Sequence, residues 1–159
     1  MAMKGIVYTH RYKEEIKMVT KPQRKRISNL LYRNVDDGYT HPATLYCGLV
    51  TGSISDDGTI TGEVSGGGYA RVAVTMNSTT FSAADDSAVC RNLVDISFPE
   101  STTSWGNITA VFFTYAQTGG TAQYYIPISP ARTVQAYTTV YFKGDPSGVN
   151  GNIQLSTSN

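Results

Sequence analysis

Short clusters of turn-forming residues divide most of this sequence into brief segments. Six of them follow residue 55: Asp56-Asp57-Gly58, Gly66-Gly67-Gly68, Asp85-Asp86, Gly119-Gly120, Asp145-Pro146-Ser147-Gly148 and Asn150-Gly151. Because Gly, Asp and Asn favour the backbone angles and local hydrogen bonds of turns, no regular element can run far between them. The segments that remain are rich in Val, Ile, Thr, Tyr and Phe, which suit a pleated, half-buried strand.

These segments predict a mainly β protein. Seven runs have strand character: 43–51, 69–76, 89–98, 107–115, 122–128, 133–142 and 152–156. In the first run, Leu45, Cys47 and Leu49 share one face, as the two-residue period of a strand requires. Many short strands at this spacing predict a β-sandwich or jelly-roll-like domain.

One helix is expected before the first strand. Thr20-Lys21-Pro22-Gln23 has the pattern of a capping box, with Thr20 as the N-cap and Gln23 at the third helical position. Apolar residues then follow at helical spacing: Ile27, Leu30, Leu31 and Val35. The pattern predicts a short amphipathic helix at about 21–35 whose narrow apolar face packs on the sheet. The predicted organisation is an extended basic arm at 1–20 and a β-sandwich domain at 21–159 that includes this helix.

Charge is distributed unevenly along the chain. The 159 residues have a formal net charge of +1, but residues 1–33 hold nine basic and two acidic side chains, a net charge of +7. The rest holds four basic and ten acidic side chains, a net charge of −6. Basic residues at a helix N-terminus oppose the helix dipole, so their role is not to stabilise the helix. We expect six of them to bind a partner: Lys13, Lys17, Lys21, Arg24, Lys25 and Arg26.

The sequence contains no pattern typical of an enzyme, a cofactor site or a metal site. His10 and His41 belong to no ligand-spaced cluster, and the glycine triplet 66–68 precedes a strand instead of a phosphate-binding helix. The triplet indicates a tight turn with positive φ angles. The acid pairs at 36–37, 56–57 and 85–86 are interpreted as solvated turns, with a divalent cation as the alternative. We therefore expect no catalytic residues, no cofactor and no metal.

The two cysteines and the hydropathy pattern add further expectations. Cys47 and Cys90 lie in apolar strand segments, where buried free thiols are expected and one disulfide between them stays open as an alternative. No stretch has the roughly 20 apolar residues of a membrane span. Nor does the N-terminus have the apolar core of a signal peptide.

Three aromatic residues are candidate surface contacts. Trp105 is the only tryptophan, and it is expected either to fill an end of the sandwich or to form an exposed platform for a sugar ring. Tyr124 and Tyr125 are adjacent on a predicted strand and must point to opposite faces. At least one of these tyrosines is therefore expected to face solvent or a partner.

Four blocks of the sequence, in the same order, resemble a family of small structural proteins of tailed bacteriophages, which are labelled tail-fibre-like or minor structural proteins. Residues 62–74 are similar to its EVSGGGYARQ signature and residues 42–49 to its PATLYVAL block. Residues 98–109 resemble FPTATGDWGTVTH, and residues 119–134 resemble TGGNLLYYGALTTPKTV. The resemblance extends over about 24–155. It departs from the family in the arm before residue 20, in an expanded 83–95 segment and at 113–120.

What the resemblance implies is a non-enzymatic virion protein, assembled in the cytoplasm of the bacterial host. Our leading expectation is a decoration or cement protein that binds the major capsid protein, or other virion proteins, and forms a homo-oligomer on the particle. The alternatives are a tail, connector or fibre-base component and a module that binds a glycan or host receptor. Nucleic-acid binding by the arm would depend steeply on salt, but the arm has few interleaved aromatic residues, so neither nucleic acid nor a membrane is expected as a partner.

Overall fold

The computed structural model describes residues 19–34, 42–84, 89–147 and 154–156. The elements are α1 (Lys21–Arg33), β1 (Thr44–Ile54), β2 (Ile60–Glu63), β3 (Val72–Thr75), β4 (Val89–Arg91), β5 (Ile96–Ser97), β6 (Gly106–Thr114), β7 (Tyr124–Val134), β8 (Tyr141–Phe142) and β9 (Gln154–Ser156). The predicted mainly β fold with one short helix before the sheets is confirmed. The predicted arm 1–18 lies outside the described residues.

The largest sheet is antiparallel and is built around β1. Its strand order is β2-β1-β6-β7, and β3 also pairs with β1. Thr44–Cys47 of β1 pair with β3, whereas Val50 to Ile54 pair with β2. Since β6 occupies the other edge of β1, β2 and β3 lie one after the other along the same edge. Two smaller sheets, β4-β9 and β5-β8, are also present in the described residues.

Apolar side chains cover both faces of this sheet. One face carries the larger core, in which Leu45, Cys47 and Leu49 are fully buried, as their alternation predicts. Ile96 of β5 and Phe142 of β8 pack against the same core, so the β5-β8 sheet forms a second layer. The opposite face has a smaller cluster around Phe112. The larger apolar core therefore lies on the face of the large sheet that Ile96 and Phe142 share with loop residues such as Phe98 and Trp105.

Several predicted strand bounds differ from the structure. The run 89–98 is divided into β4 and β5, and the short strand β2 was not predicted. Strand β7 continues through Pro127 and Pro130, where the predicted strand ended at residue 128. Proline lacks a backbone donor and is tolerated in a strand at the edge of a sheet, which is where β7 lies.

Helix α1 begins at Lys21 as predicted, with Pro22 in its first turn, but the capping box does not form. The Thr20 hydroxyl donates to the carbonyl oxygen of Gln123, and Gln23 donates to the hydroxyl of Tyr115 instead of reaching back to Thr20. A backbone carbonyl just before β7 and a side chain just after β6 therefore replace the local partners of the cap. The helix ends at Arg33, and Asn34 follows in the left-handed conformation with φ 48°.

The prediction that the apolar face of α1 packs on the sheet is wrong. Leu30 and Leu31 are 55% and 68% exposed, and Tyr32 is 80% exposed. The residue that the helix buries is Gln23, at 2% exposure. The reason is that the helix docks through its N-terminal turn: the Lys21 amide donates to the Asp56 carbonyl over 2.7 Å, and the Thr20 amide donates to the Gln123 carbonyl over 3.0 Å. Val35 of the predicted stripe lies outside the described residues.

Candidate functional site

Residues 63–71 connect β2 to β3 and are called the clamp loop below. On one edge, β1 pairs with β3 as far as Cys47 and with β2 from Val50 onward. Leu49 lies between these positions and has no strand partner on that edge. The loop supplies the missing hydrogen bonds. The Leu49 amide donates to the Tyr69 hydroxyl over 2.9 Å, and the Val64 amide donates to the Leu49 carbonyl over 3.0 Å. The clamp loop thus closes the gap between two strands along one sheet edge.

A partly buried ion pair joins the two ends of the clamp loop. Arg71 donates from Nε to Glu63 Oε1 over 2.7 Å and from Nη2 to Glu63 Oε2 over 2.6 Å. The Arg71 side chain is 3% exposed, and its guanidinium carbon lies 5.0 Å from the centre of the Phe112 ring. Its remaining nitrogen, Nη1, donates to the carbonyls of Ala116 and Gly119 over 2.7 and 2.8 Å. Arg71 therefore also fastens the β6–β7 turn to the loop.

The tip of the clamp loop is formed by glycines 66–68, whose φ angles are all positive. The carbonyl of Gly67 accepts hydrogen bonds from Trp105 Nε1 over 2.9 Å and from the Thr102 amide over 2.8 Å. A Cβ atom at Gly67 would collide with Thr103 Oγ1, so the close approach also requires glycine. The tight turn with positive φ predicted for this triplet is confirmed.

Aromatic rings anchor the clamp loop in the main core. The Tyr69 ring is stacked on Phe98 at 6.1 Å between centroids and meets Trp105 edge-on at 5.5 Å. Burial raises the pKa of the Tyr69 hydroxyl, and burial likewise raises the pKa of the Cys47 thiol. Both groups therefore remain protonated near neutral pH, which suits packing and hydrogen bonding and not nucleophilic chemistry.

An open cleft of about 350 Å³ lies between the clamp loop and the β6–β7 turn. Its charged groups, Glu63 and Arg71, are already paired with each other. The remaining polar lining comes from neutral residues such as Ser65, Gln117 and Thr118. The arrangement is thus a structural clamp between two loops. In the sequence, Glu63 and Arg71 flank the glycine triplet with opposite charges. This signal could have indicated the ion pair, which was not predicted.

The three candidate aromatic contacts have different environments. Trp105 is 5% exposed and belongs to the main core, so the surface contact expected of it is wrong: it fills the core and forms no platform for a sugar. The closing of the clamp loop over the ring is the physical reason. Tyr124 and Tyr125 are half-buried and pack against different clusters on the two faces of the sheet, as adjacent strand residues must.

The candidate basic residues are not equivalent. Lys13 and Lys17 lie outside the described residues, while Lys21 and Lys25 are exposed on α1. Arg24 is directed toward its own domain: Nη2 donates to both Asp56 oxygens over 2.8 Å, and Nη1 donates to the Val19 carbonyl. Arg26 is half-buried, with an interaction partner in the structure. Arg24 therefore fixes the helix, and Lys21 and Lys25 are the ones presented to solvent.

The cysteines and the acidic residues were the other candidate chemical groups. Both cysteines are free thiols, and in the described part of the chain no three His, Cys, Asp or Glu side chains are grouped to hold a metal ion. Asp57 accepts hydrogen bonds from the Ser55 hydroxyl and the Thr59 amide, which place its carboxylate in a turn. The acid pairs 36–37 and 85–86 and both histidines lie outside the described residues. No helix within the described ranges is long and apolar enough to cross a membrane.

Comparison with known proteins assigns this arrangement of helix, sheet and clamp loop to a family. No curated protein matches the sequence. The model of one protein family, described as podophage GP4 fiber I protein gp80, matches residues 19–147, which extend from the start of α1 past the end of β8. The expected phage structural protein of the tail-fibre-like kind is confirmed at this level, and with it a place in the virion. Because the match covers well over half of its residues, the chain belongs to the podophage GP4 fiber I protein gp80 family.

Proposed function

We propose that this chain is a non-enzymatic structural subunit of its phage's tail fibre, and not a cement protein of the capsid. The family match over residues 19–147 is the observation that carries the proposal, since it includes both α1 and the large sheet. It favours the fibre alternative among our expectations over capsid decoration. Assembly would take place in the cytoplasm of the bacterial host.

The two parts of the described structure suit different tasks in such a subunit. The β domain is the rigid part, because two hydrogen bonds from Arg71 hold the clamp loop and the β6–β7 turn together. Helix α1 is the part presented outward, with Lys21, Lys25, Leu30 and Leu31 all exposed. We assign attachment to a neighbouring virion protein to this helix, because it combines cations with apolar surface and contains no acidic residue.

The location of the protein in the particle tests the proposal directly. Quantitative mass spectrometry of purified virions should give a copy number in the range of the tail proteins, far below that of the major capsid protein. Immunogold labelling with antibodies against the purified chain should mark the tail. A copy number close to that of the major capsid protein, with label over the head, would overturn the proposal and support capsid decoration instead.

A charge-reversal variant tests the role assigned to the helix. In Lys21→Glu/Lys25→Glu, both changed side chains are solvent-exposed, so the fold should be retained while incorporation into particles falls. The matched control is Arg132→Glu, which changes an exposed cation on β7. Equal incorporation of the helix variant and the wild type would show that Lys21 and Lys25 do not contribute to attachment.

A further inference from the structure

The exposed end of helix α1 has a counterpart elsewhere on the same chain. The end consists of Leu30, Leu31 and Tyr32, each more than half exposed, and is called the apolar knob below. Arg33 follows it directly and brings a cation to its margin. Consecutive helical residues point about 100° apart, so Leu30 and Leu31 lie on adjoining sides of the helix end, and Tyr32 lies further round it. Exposed apolar side chains grouped in this way are typical of a contact with another molecule.

The counterpart is a small pocket of about 200 Å³ between β3 and β5. Val72 and Val74 line it from β3, and Ile96 lines it from β5, while Val94 stands at its margin with 47% exposure. Thr75 and Thr80 add polar groups to this aliphatic lining, and the size of the pocket suits one or two aliphatic side chains. We call it the β3–β5 pocket.

One carboxylate lies on the margin of the β3–β5 pocket. Asp95 accepts hydrogen bonds from the Gly144 amide over 2.8 Å and from Lys143 Nζ over 3.0 Å. Its side chain is still 41% exposed, and the Lys143 side chain is 68% exposed. A carboxylate has about four acceptor positions, so Asp95 can accept from a second cation without losing the bonds that it already makes.

The knob and the pocket are kept apart within one chain. Val19, just before α1, pairs with Tyr124 of β7 at one edge of the large sheet. Strand β3 lies on the far side of β1 from β6 and β7. The side chains of the knob are exposed and do not fill the pocket of their own chain, so a second copy can bring its knob to this pocket.

We propose that the apolar knob of one copy inserts into the β3–β5 pocket of a second copy, with Arg33 directed toward Asp95. Charge favours this occupant, because residues 1–33 have a net charge of +7 and the rest of the chain a net charge of −6. The contact joins two different surfaces of one chain, so it is heterologous and builds rings or open rows of copies. This inference rests on the proposed fibre function and names the partner of α1.

Association of the full-length purified chain tests the inference without the particle. Sedimentation velocity over a range of concentrations should show assemblies that grow with concentration and weaken with salt. Leu30→Ser/Leu31→Ser removes the knob, and Val94→Lys obstructs the pocket. Each variant alone should raise the dissociation constant at least about tenfold, as loss of a central apolar anchor does. Tyr137→Ser, which changes a side chain that is 79% exposed elsewhere, should associate like the wild type.

Mixing the two variants distinguishes this contact from a symmetric one. The knob-deficient variant keeps its pocket, and the pocket-obstructed variant keeps its knob, so an equimolar mixture should form dimers and nothing larger. A symmetric contact between the helices of two copies predicts that mixing the variants does not restore association. A wild type that stays monomeric, a variant that associates like the wild type or a mixture that stays monomeric would overturn the inference. Circular dichroism confirms that each variant is folded. The association experiment uses the purified chain without virions. A failure of self-association would therefore not affect the fibre proposal, which the copy number and the labelling test separately.

Discussion

The clamp loop and helix α1 are fastened to the same sheet by arginine side chains, yet in very different surroundings. Arg71 in the loop is 3% exposed and its partner Glu63 is 28% exposed. Arg24 in the helix is 29% exposed, and its partner Asp56 is 64% exposed. Arg71 donates from two nitrogens to the two Glu63 oxygens, whereas Arg24 donates from Nη2 alone to both Asp56 oxygens. The Arg71 pair is thus both more buried and better matched in geometry, and the difference teaches that breaking it should destabilise the fold more.

The largest expected difference in stability is between variants that remove the arginine of each ion pair. Arg71→Met should lower the free energy of unfolding by about 3 kcal/mol, because Glu63 and two carbonyls lose a buried donor. Arg24→Met should cost about 1 kcal/mol or less, since an exposed pair is screened by water. Urea unfolding of both variants measures the two values. Equal losses of unfolding free energy in the two variants would contradict the comparison. If Glu63→Gln/Arg71→Met is more stable than Arg71→Met, the loss in the single variant comes from the unpaired Glu63 charge.

Two glycines at the tip of the clamp loop separate backbone strain from close packing. Gly66→Ala should cost about 1 kcal/mol, because its φ of +69° is unfavourable with a Cβ but nothing lies within 4 Å of that atom. Gly67→Ala should cost about 2–3 kcal/mol, because Thr103 and Trp105 must also move. Thermal unfolding compares the two variants. If they were equally stable, the Gly67 contacts would not hold the tip.

The buried glutamine of α1 tests the helix side of the comparison. Gln23 donates to the Tyr115 hydroxyl over 2.6 Å and to Gln123 Oε1 over 2.8 Å. Gln23→Ala should therefore cost about 1–2 kcal/mol, and the effect should be local to the helix. Hydrogen exchange should show faster exchange of the α1 amides and little change in β1. Ser28→Ala, at an exposed position of α1, is the control. Unchanged protection in Gln23→Ala would mean that other contacts hold the helix.

The smallest effect is expected from pH at the β1–β2 turn beside the helix. Hydrogen bonds from Ser55 and Thr59 hold the pKa of Asp57 at about 2, below the ordinary value of 3.8. Since the folded pKa is lowered, the stabilisation is present above pH 3.8 and is lost as the pH falls through about 2. The Thr59 amide shift, followed by NMR, should titrate near pH 2 and stay constant in Asp57→Asn. A midpoint near 4 would contradict this pKa.

Local patterns in the sequence predicted much of the fold. The alternation of Leu45, Cys47 and Leu49 marked the buried face of β1, and the glycine triplet indicated positive φ angles before any contact was known. Pro22 and the residues around it located the start of α1. All of these depend on the backbone preferences and spacing of residues that are close together in the chain.

The candidate site could be predicted only in part. The resemblance singled out the block that forms the clamp loop, but not the ion pair that closes it. The prediction for α1 was wrong because the apolar stripe was assumed to decide which side is buried. In the structure Gln23 is buried by Gln123, which lies 100 positions further along the chain. No local pattern contains such a partner.

The sequence by itself determined most of the strand segments, the tight turn at glycines 66–68 and where the helix begins. Only the tertiary structure decided that β1 changes partner between β3 and β2, that Arg71 closes the clamp loop, and that Leu30 and Leu31 remain outside. The physical reason is the range of the interactions. Backbone preferences act within a few residues, whereas burial depends on which distant segments meet. Burial in turn determines whether a charged side chain holds two loops together and whether an apolar side chain is free to contact a partner.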